Sequence, residues 1–182
     1  MAAASRSTST PPRSPSEGDV SREEEIAKAV AEHGWTAISI SDSEPPFVYT
    51  AGLMFSHDHP ELIVLGLPEN GYGIVAVMAD EIGKGRSFTD TDRHDNVLVT
   101  GQVATRDVHP TRHEMYLGYA MGYCREQGRM GELKALQVFW PDRDGKFPFE
   151  PNCDEGVYAA QPRLDLPATE SELREWRDRW GD

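Results

Sequence analysis

TAISISDSEPPFVYTAGLMFSHDHPELIVLGL, residues 36–67, is the stretch on which the fold class turns. Thr36 to Ser41 alternates polar and apolar side chains, the period of a strand with one wet face. Ser43-Glu44-Pro45-Pro46 interrupts it, because each proline fixes φ and withholds a backbone donor. Phe47 to Leu53 resumes as a second strand, with Phe47, Tyr49, Ala51 and Leu53 on one face and Val48 and Thr50 on the other. After a polar loop, Glu61 to Leu67 is almost wholly apolar, the pattern of a strand covered on both sides. Strands joined by short connections pair antiparallel, since parallel neighbours need a long crossover. The expected class is therefore α+β, a single domain with a twisted antiparallel sheet or half-barrel flanked by helices.

Outward from this stretch, residues 1–20 read as a disordered tail, rich in Ser, Thr and Pro with little to bury. The domain is expected over 21–182. Ser21 and Glu24 form a capping-box pattern ahead of Ile26, Ala27 and Val30, and Gly34 supplies the stop. Ile74, Val75, Met78 and Ile82 predict a short helix, and Arg86 to Asn96 an exposed loop. Asn96 to Val108 reads as a strand bent at Gly101. Thr111 and Glu114 suggest a second capping box opening a helix to Gly128, followed by a strand over Leu133 to Trp140. Pro141 to Gly145 is turn chemistry, and Phe147 to Pro162 reads as irregular. Thr169 and Glu172 cap a final amphipathic helix over 169–180, with Leu173, Trp176 and Trp180 on one stripe.

The chain has 182 residues, with 18 Lys and Arg against 31 Asp and Glu, a formal net charge of −13. That excess argues against DNA, RNA or an anionic membrane as partner, because a polyphosphate needs a concentrated basic face. No apolar run approaches the roughly 18 residues that span a bilayer, and Met1 to Gly18 lacks the apolar middle of a secretory signal. Cys124 and Cys153 are too few for a disulfide scaffold, so a reducing cytoplasm is expected.

His33-Gly34-Trp35, Pro45 to Thr50, Gly52-Leu53, His59-Pro60-Glu61-Leu62-Ile63 and Gly66-Leu67-Pro68 resemble the bacterial family catalogued as domain of unknown function 4262. LQVFWPDRDGKFPFEP, residues 136–151, resembles that family's second signature. The resemblance covers about residues 25–165 and leaves the tail and last helix outside. It implies a bacterial cytosolic protein and brings no established reaction.

Three segments carry candidate chemistry. In Ser56-His57-Asp58-His59-Pro60-Glu61, alternate side chains of an extended backbone share a face. His57 and His59 would then meet one metal, with Glu61, His109 or His113 as third ligand. No Cys-x-x-Cys or His-Glu-x-x-His accompanies them, so no metal is assigned; the plainer reading is a loop in which His59 bonds backbone groups. After Thr111, His113, Tyr116 and Ala120 follow one stripe with Tyr119 and Tyr123 nearby. They either line a pocket for proton transfer or pack their rings on the sheet. Lastly, Trp140, Phe147 and Phe149 beside Asp142, Asp144 and Glu150 read as a turn, or as the floor of a small-molecule site. Arg106, Arg112, Arg125 and Arg129 are scattered among acids. No phosphate-cradling loop or nucleophile elbow is present.

The leading expectation is a small-molecule-binding domain, with His/Tyr acid–base catalysis as an option rather than an assignment. His59, Tyr49, Tyr116 and His113 are the catalytic candidates, and Thr50, Trp140, Asp142 and Gln137 the substrate contacts. His59 would act as general base or ligand, Tyr49 and Tyr116 would orient substrate, and Asp142 or Glu61 would hold an imidazole. One alternative is a protein-interaction or accessory module using the acidic surface with Trp176 and Trp180. Another, by element order alone, is a flavin-binding split-barrel-like protein with Tyr49-Thr50 and Gly66-Leu67-Pro68 near the flavin. The residues name no cofactor and leave a homo-oligomer open. The leading expectation requires the His57–His59 loop, Tyr49-Thr50 and His113–Tyr116 to meet at one pocket.

Overall fold

The strands on either side of Pro45-Pro46 are β1 (Thr36–Ile40), β2 (Phe47–Ala51) and β3 (Glu61–Leu65), in a computed structural model that describes residues 17–180. Both pairs are antiparallel, with Ile38 opposite Tyr49 and Tyr49 opposite Ile63. Further along the chain lie β4 (Asp92–His94), β5 (Val103–Asp107) and β6 (Ala135–Phe139). All six form one open sheet, order β1-β2-β3-β6-β5-β4. It is antiparallel except at its centre, where β3 and β6 run parallel with Leu62 opposite Leu136. Among the described residues seven α-helices complete the α+β domain: α1 (Glu17–His33), α2 (Leu53–Ser56), α3 (Gly71–Gly83), α4 (His113–Tyr116), α5 (Gly118–Glu126), α6 (Glu155–Ala160) and α7 (Glu170–Trp180). The part of the expected tail at residues 1–16 lies outside the described residues.

Two-sided burial explains the central pair. Leu62, Val64, Leu136 and Val138 pack with Ile74, Val75, Met78 and Ile82 of α3. Ile63, Leu65 and Ala135 face the other way, toward Ile26 and Val30 of α1 and Ala120 and Cys124 of α5. Both strands are buried along their whole length, as parallel neighbours under helices on both faces must be. Each fully buried Leu, Ile or Val contributes about 1.5–3 kcal/mol, so these strands anchor the fold.

Elsewhere the structure departs from the local patterns. The 86–96 segment is exposed over most of its length, as expected, but Phe88 is 1% exposed within the α3 layer, and residues 92–94 pair with β5 as an edge strand. The strand expected over 96–108 shrinks to β5, because the chain bends through residues 95–101. The helix expected from Thr111 breaks at the fully buried Leu117 into α4 and α5. No box forms there, since Thr111 Oγ1 accepts from the Ala168 N–H and the His109 ring caps the Thr111 N–H. The irregular 147–162 segment contains α6, capped by Asp154, whose carboxylate accepts from the N–H groups of Gly156 and Val157. The box at α7 is present in full. Glu172 accepts from the Thr169 N–H at 2.7 Å, and Thr169 Oγ1 accepts from the Glu172 N–H at 3.2 Å.

Candidate functional site

β3 opens with Glu61, a carboxylate only 1% exposed. Its position follows from the end of the β2–β3 ladder, where the chain turns into α2 and leaves N–H groups without strand partners. Glu61 Oε1 accepts from the N–H groups of Gly52 (2.8 Å) and Met54 (3.2 Å), and Oε2 from the Thr50 hydroxyl at 2.7 Å. Thr50 Oγ1 in turn accepts from the Leu62 N–H at 2.8 Å. Burial pushes the Glu61 pKa upward, and its three donors pull the other way. Glu61 as ligand and Thr50 as substrate contact are thereby replaced by a clasp joining β2, α2 and β3.

His59 is 4% exposed, and both ring nitrogens are engaged. Nε2 accepts from the Phe88 N–H at 3.0 Å, so Nδ1 carries the proton and donates to the Pro60 carbonyl at 2.7 Å. The lone pair a general base needs is occupied, and burial holds the imidazole below its ordinary pKa. The Phe88 ring meets the His59 and His94 rings edge-on, at centroid distances of 6.0 and 4.7 Å. Thr105 donates its hydroxyl to the Thr89 carbonyl, so His94 Nε2 donates to Thr105 Oγ1 at 2.8 Å. Among the described residues no three His, Cys, Asp or Glu side chains gather where they would hold a metal. His57 is exposed and does not join His59 and Glu61 in a ligand set.

Tyr49 and Tyr116 do come together, both against Phe47, whose ring lies 6.1 Å from that of Tyr49 and 5.4 Å from that of Tyr116. The Tyr49 hydroxyl accepts from the Tyr119 N–H at 3.2 Å, and burial holds its phenol protonated, well above the usual value. His113 Nε2 lies 3.3 Å from the Val108 carbonyl, half-buried, with its pKa lowered by burial. The remaining substrate candidates serve the backbone instead. Gln137 donates to the Pro162 carbonyl and accepts from the Leu164 N–H, both at 2.8 Å, clamping that segment to β6. Trp140 Nε1 donates to the Leu65 carbonyl at 2.9 Å. Asp142 accepts from the N–H groups of Asp144, Lys146 and Asp154, donors that hold its pKa low.

The three proposed segments do not converge. His59 borders a cleft of about 540 Å³ at the start of β3 and β6, with Met54, Pro60 and Leu133 as apolar lining and Asp58, Arg129, Glu132 and Lys134 around it. Tyr116 borders a separate groove of about 620 Å³ between α4 and α7, with Trp176, Glu172, Glu175 and Arg179. Tyr49 and Thr50 line neither. The flavin alternative loses its edge as well: Tyr49 and Thr50 are buried within the protein, and Gly66 is closed over by Ala160. Arg129 and Lys134 carry no local motif in the sequence, and only the approach of residues 129–134 to the His59 loop brings them forward.

The model of one protein family, described as Domain of unknown function (DUF4262), matches residues 29–154. No curated protein and no solved structure matches the chain.

Proposed function

The chain belongs to the DUF4262 family, and we propose that the domain binds a small polar molecule carrying both signs of charge in the cleft beside His59. One observation carries this reading. Every residue lining the cleft, from Met54 to Lys134, lies inside the family-matched stretch 29–154, whereas the α4–α7 groove depends on residues 172–179 beyond it. The lining suits such a ligand. Met54, Pro60 and Leu133 supply apolar contact, and Asp58 and Lys134 offer opposite charges, while Arg129 and Glu132 pair with each other at 2.8 Å. His59 acts as a neutral wall of the cleft, and the reading includes no catalytic step. The setting that fits is the cytoplasm of a bacterium, with two free thiols; no described helix is long and apolar enough to cross a membrane.

The test is a screen of amino acids and short zwitterionic metabolites against ¹⁵N-labelled protein. Binding should perturb the amides of Gly131, Leu133 and Lys134 first. Lys134→Ala should weaken a hit about tenfold through loss of one ion contact, leaving the melting temperature unchanged. Hits that perturb Met115, Tyr116 and Trp176 instead would move the site to the other groove and refute this one.

A further inference from the structure

β5 sets Arg106 opposite Gln137 of β6, in the half of the sheet over which the second signature block folds back. Phe147 and Phe149 stack with centroids 5.4 Å apart and planes within 6°, and Phe149 meets Phe139 edge-on at 5.4 Å. From sequence these aromatics stand beside carboxylates. In the fold they are ringed by guanidinium groups. Arg106 lies 4.0 Å and Arg163 5.6 Å from the Phe149 centroid, and Arg93 lies 4.9 Å from that of Phe147.

Two of these three cations are satisfied. Arg93 bonds Glu150 at 2.6 Å, and Arg163 takes both oxygens of Asp165 through Nε and Nη2. Arg106 is left over. Its Nη1 stands 4.0 Å from Asp165, beyond hydrogen-bond reach, and its Nε is buried with no partner. A buried donor without an acceptor costs free energy, while the side chain as a whole is 27% exposed, which leaves its Nη end open to an acceptor. The guanidinium fork matches the paired oxygens of a carboxylate or phosphate, and a stacked aromatic ring holds its plane in place. Three cations facing two carboxylates also leave a positive spot on a chain of net charge −13.

We infer that Arg106, on the Phe149 platform beside Arg163, binds the oxyanion group of a small molecule, a carboxylate or a phosphate. The site is separate from the cleft beside His59, which none of these residues lines. Its acceptor completes the fork that Asp165, already held by Arg163, does not reach.

The test uses the full ¹⁵N-labelled chain, titrated with sodium phosphate and with sodium acetate against sodium chloride at equal ionic strength. The reporter is the arginine Nε–H signal of Arg106. A saturable shift with a Kd of about 1 mM or tighter is expected with phosphate, acetate or both, and none with chloride. Phosphate alone assigns a phosphate-bearing ligand, acetate alone a carboxylate, and both the shared oxyanion fork. Arg163→Gln releases Asp165 to pair with Arg106, so anion binding should fall at least about tenfold although Arg106 is intact. Arg106→Gln, read instead through the Nε–H signal of Arg163 beside the same ring, should abolish it; should that variant not fold, the Arg163→Gln result decides alone. Absence of a saturable shift with both anions, an equal response to chloride, or undiminished binding in Arg163→Gln overturns the site. Gly131 to Lys134 should stay unmoved throughout, so this titration and the cleft screen succeed or fail separately.

Discussion

Replacing Glu61 tests whether it is a clasp or a reactive group. Its carboxylate answers three donors, at 2.7, 2.8 and 3.2 Å, in a site 1% exposed. Glu61→Leu leaves the Thr50 hydroxyl and the N–H groups of Gly52 and Met54 without an acceptor, at about 1–3 kcal/mol each. At a central value of about 2 kcal/mol each the three orphans cost about 6 kcal/mol, and removing a buried carboxylate recovers about half of that in desolvation, so the net loss should be about 3 kcal/mol. Glu61→Gln keeps one carbonyl oxygen for the two N–H groups and orphans only the Thr50 hydroxyl proton, a loss of about 1–2 kcal/mol. At about 2–4 °C per kcal/mol for a chain of this size, Leu should lower the melting temperature by about 6–12 °C and Gln by about 2–8 °C. Calorimetry or a circular-dichroism melt reads the difference directly. A Leu variant as stable as the parent, or a Gln variant as damaged as the Leu variant, would refute the clasp.

At Gly66, φ is +74° and an added Cβ would sit 2.5 Å from the Ala160 carbonyl oxygen, whereas at Gly85, with φ +93°, it would meet nothing within 4 Å. Gly66→Ala should therefore cost about 2–5 kcal/mol in urea unfolding and Gly85→Ala about 1–2, and equal losses would show that Ala160 yields freely. His59 and His94 are held by burial below the ordinary imidazole pKa of 6.5, so the unfolded chain binds more protons there. Their share of stability is complete above pH 6.5 and drains away as pH falls through the lower folded values. Amide exchange at Phe88, which depends on the unprotonated His59 Nε2, should speed up in that window beyond the global rate; a flat response would contradict the assigned tautomer. The Arg112 guanidinium bonds Glu172 and draws its pKa from 4.5 down to about 2. That contribution is present above pH 4.5 and lost as pH falls toward 2, so Glu172→Gln should flatten the acid limb of the stability curve, and a carboxyl titrating near 4.5 by NMR would disprove the pairing.

Much of the fold was legible along the chain. The alternation of Phe47 to Ala51, the apolar run after Glu61, the Pro45-Pro46 turn and the Thr169–Glu172 box all act over a few residues, where stereochemistry and periodicity decide the outcome. The misreadings fall where a distant partner overrides that local preference. Phe88 sits in polar sequence yet is buried, because the His59 ring, 29 residues earlier, accepts its N–H. Leu117 breaks a helix-like run because the core takes its side chain. Gln137 is satisfied by Pro162 and Leu164, 25 and 27 residues further on, which no local pattern announces.

By itself, then, the sequence determined the α+β class, the first three strands, the Thr169–Glu172 cap and the acidic balance that disfavours polyanions. Only the tertiary structure decided that β3 and β6 meet as parallel neighbours, that the His59 loop and the Tyr116 helix serve different grooves, and that Arg106 loses Asp165 to Arg163. The physical reason is the same in each case. Backbone preference is settled among adjacent residues, whereas a polar side chain takes its role from whichever donor or acceptor the folded chain brings within about 3 Å of it.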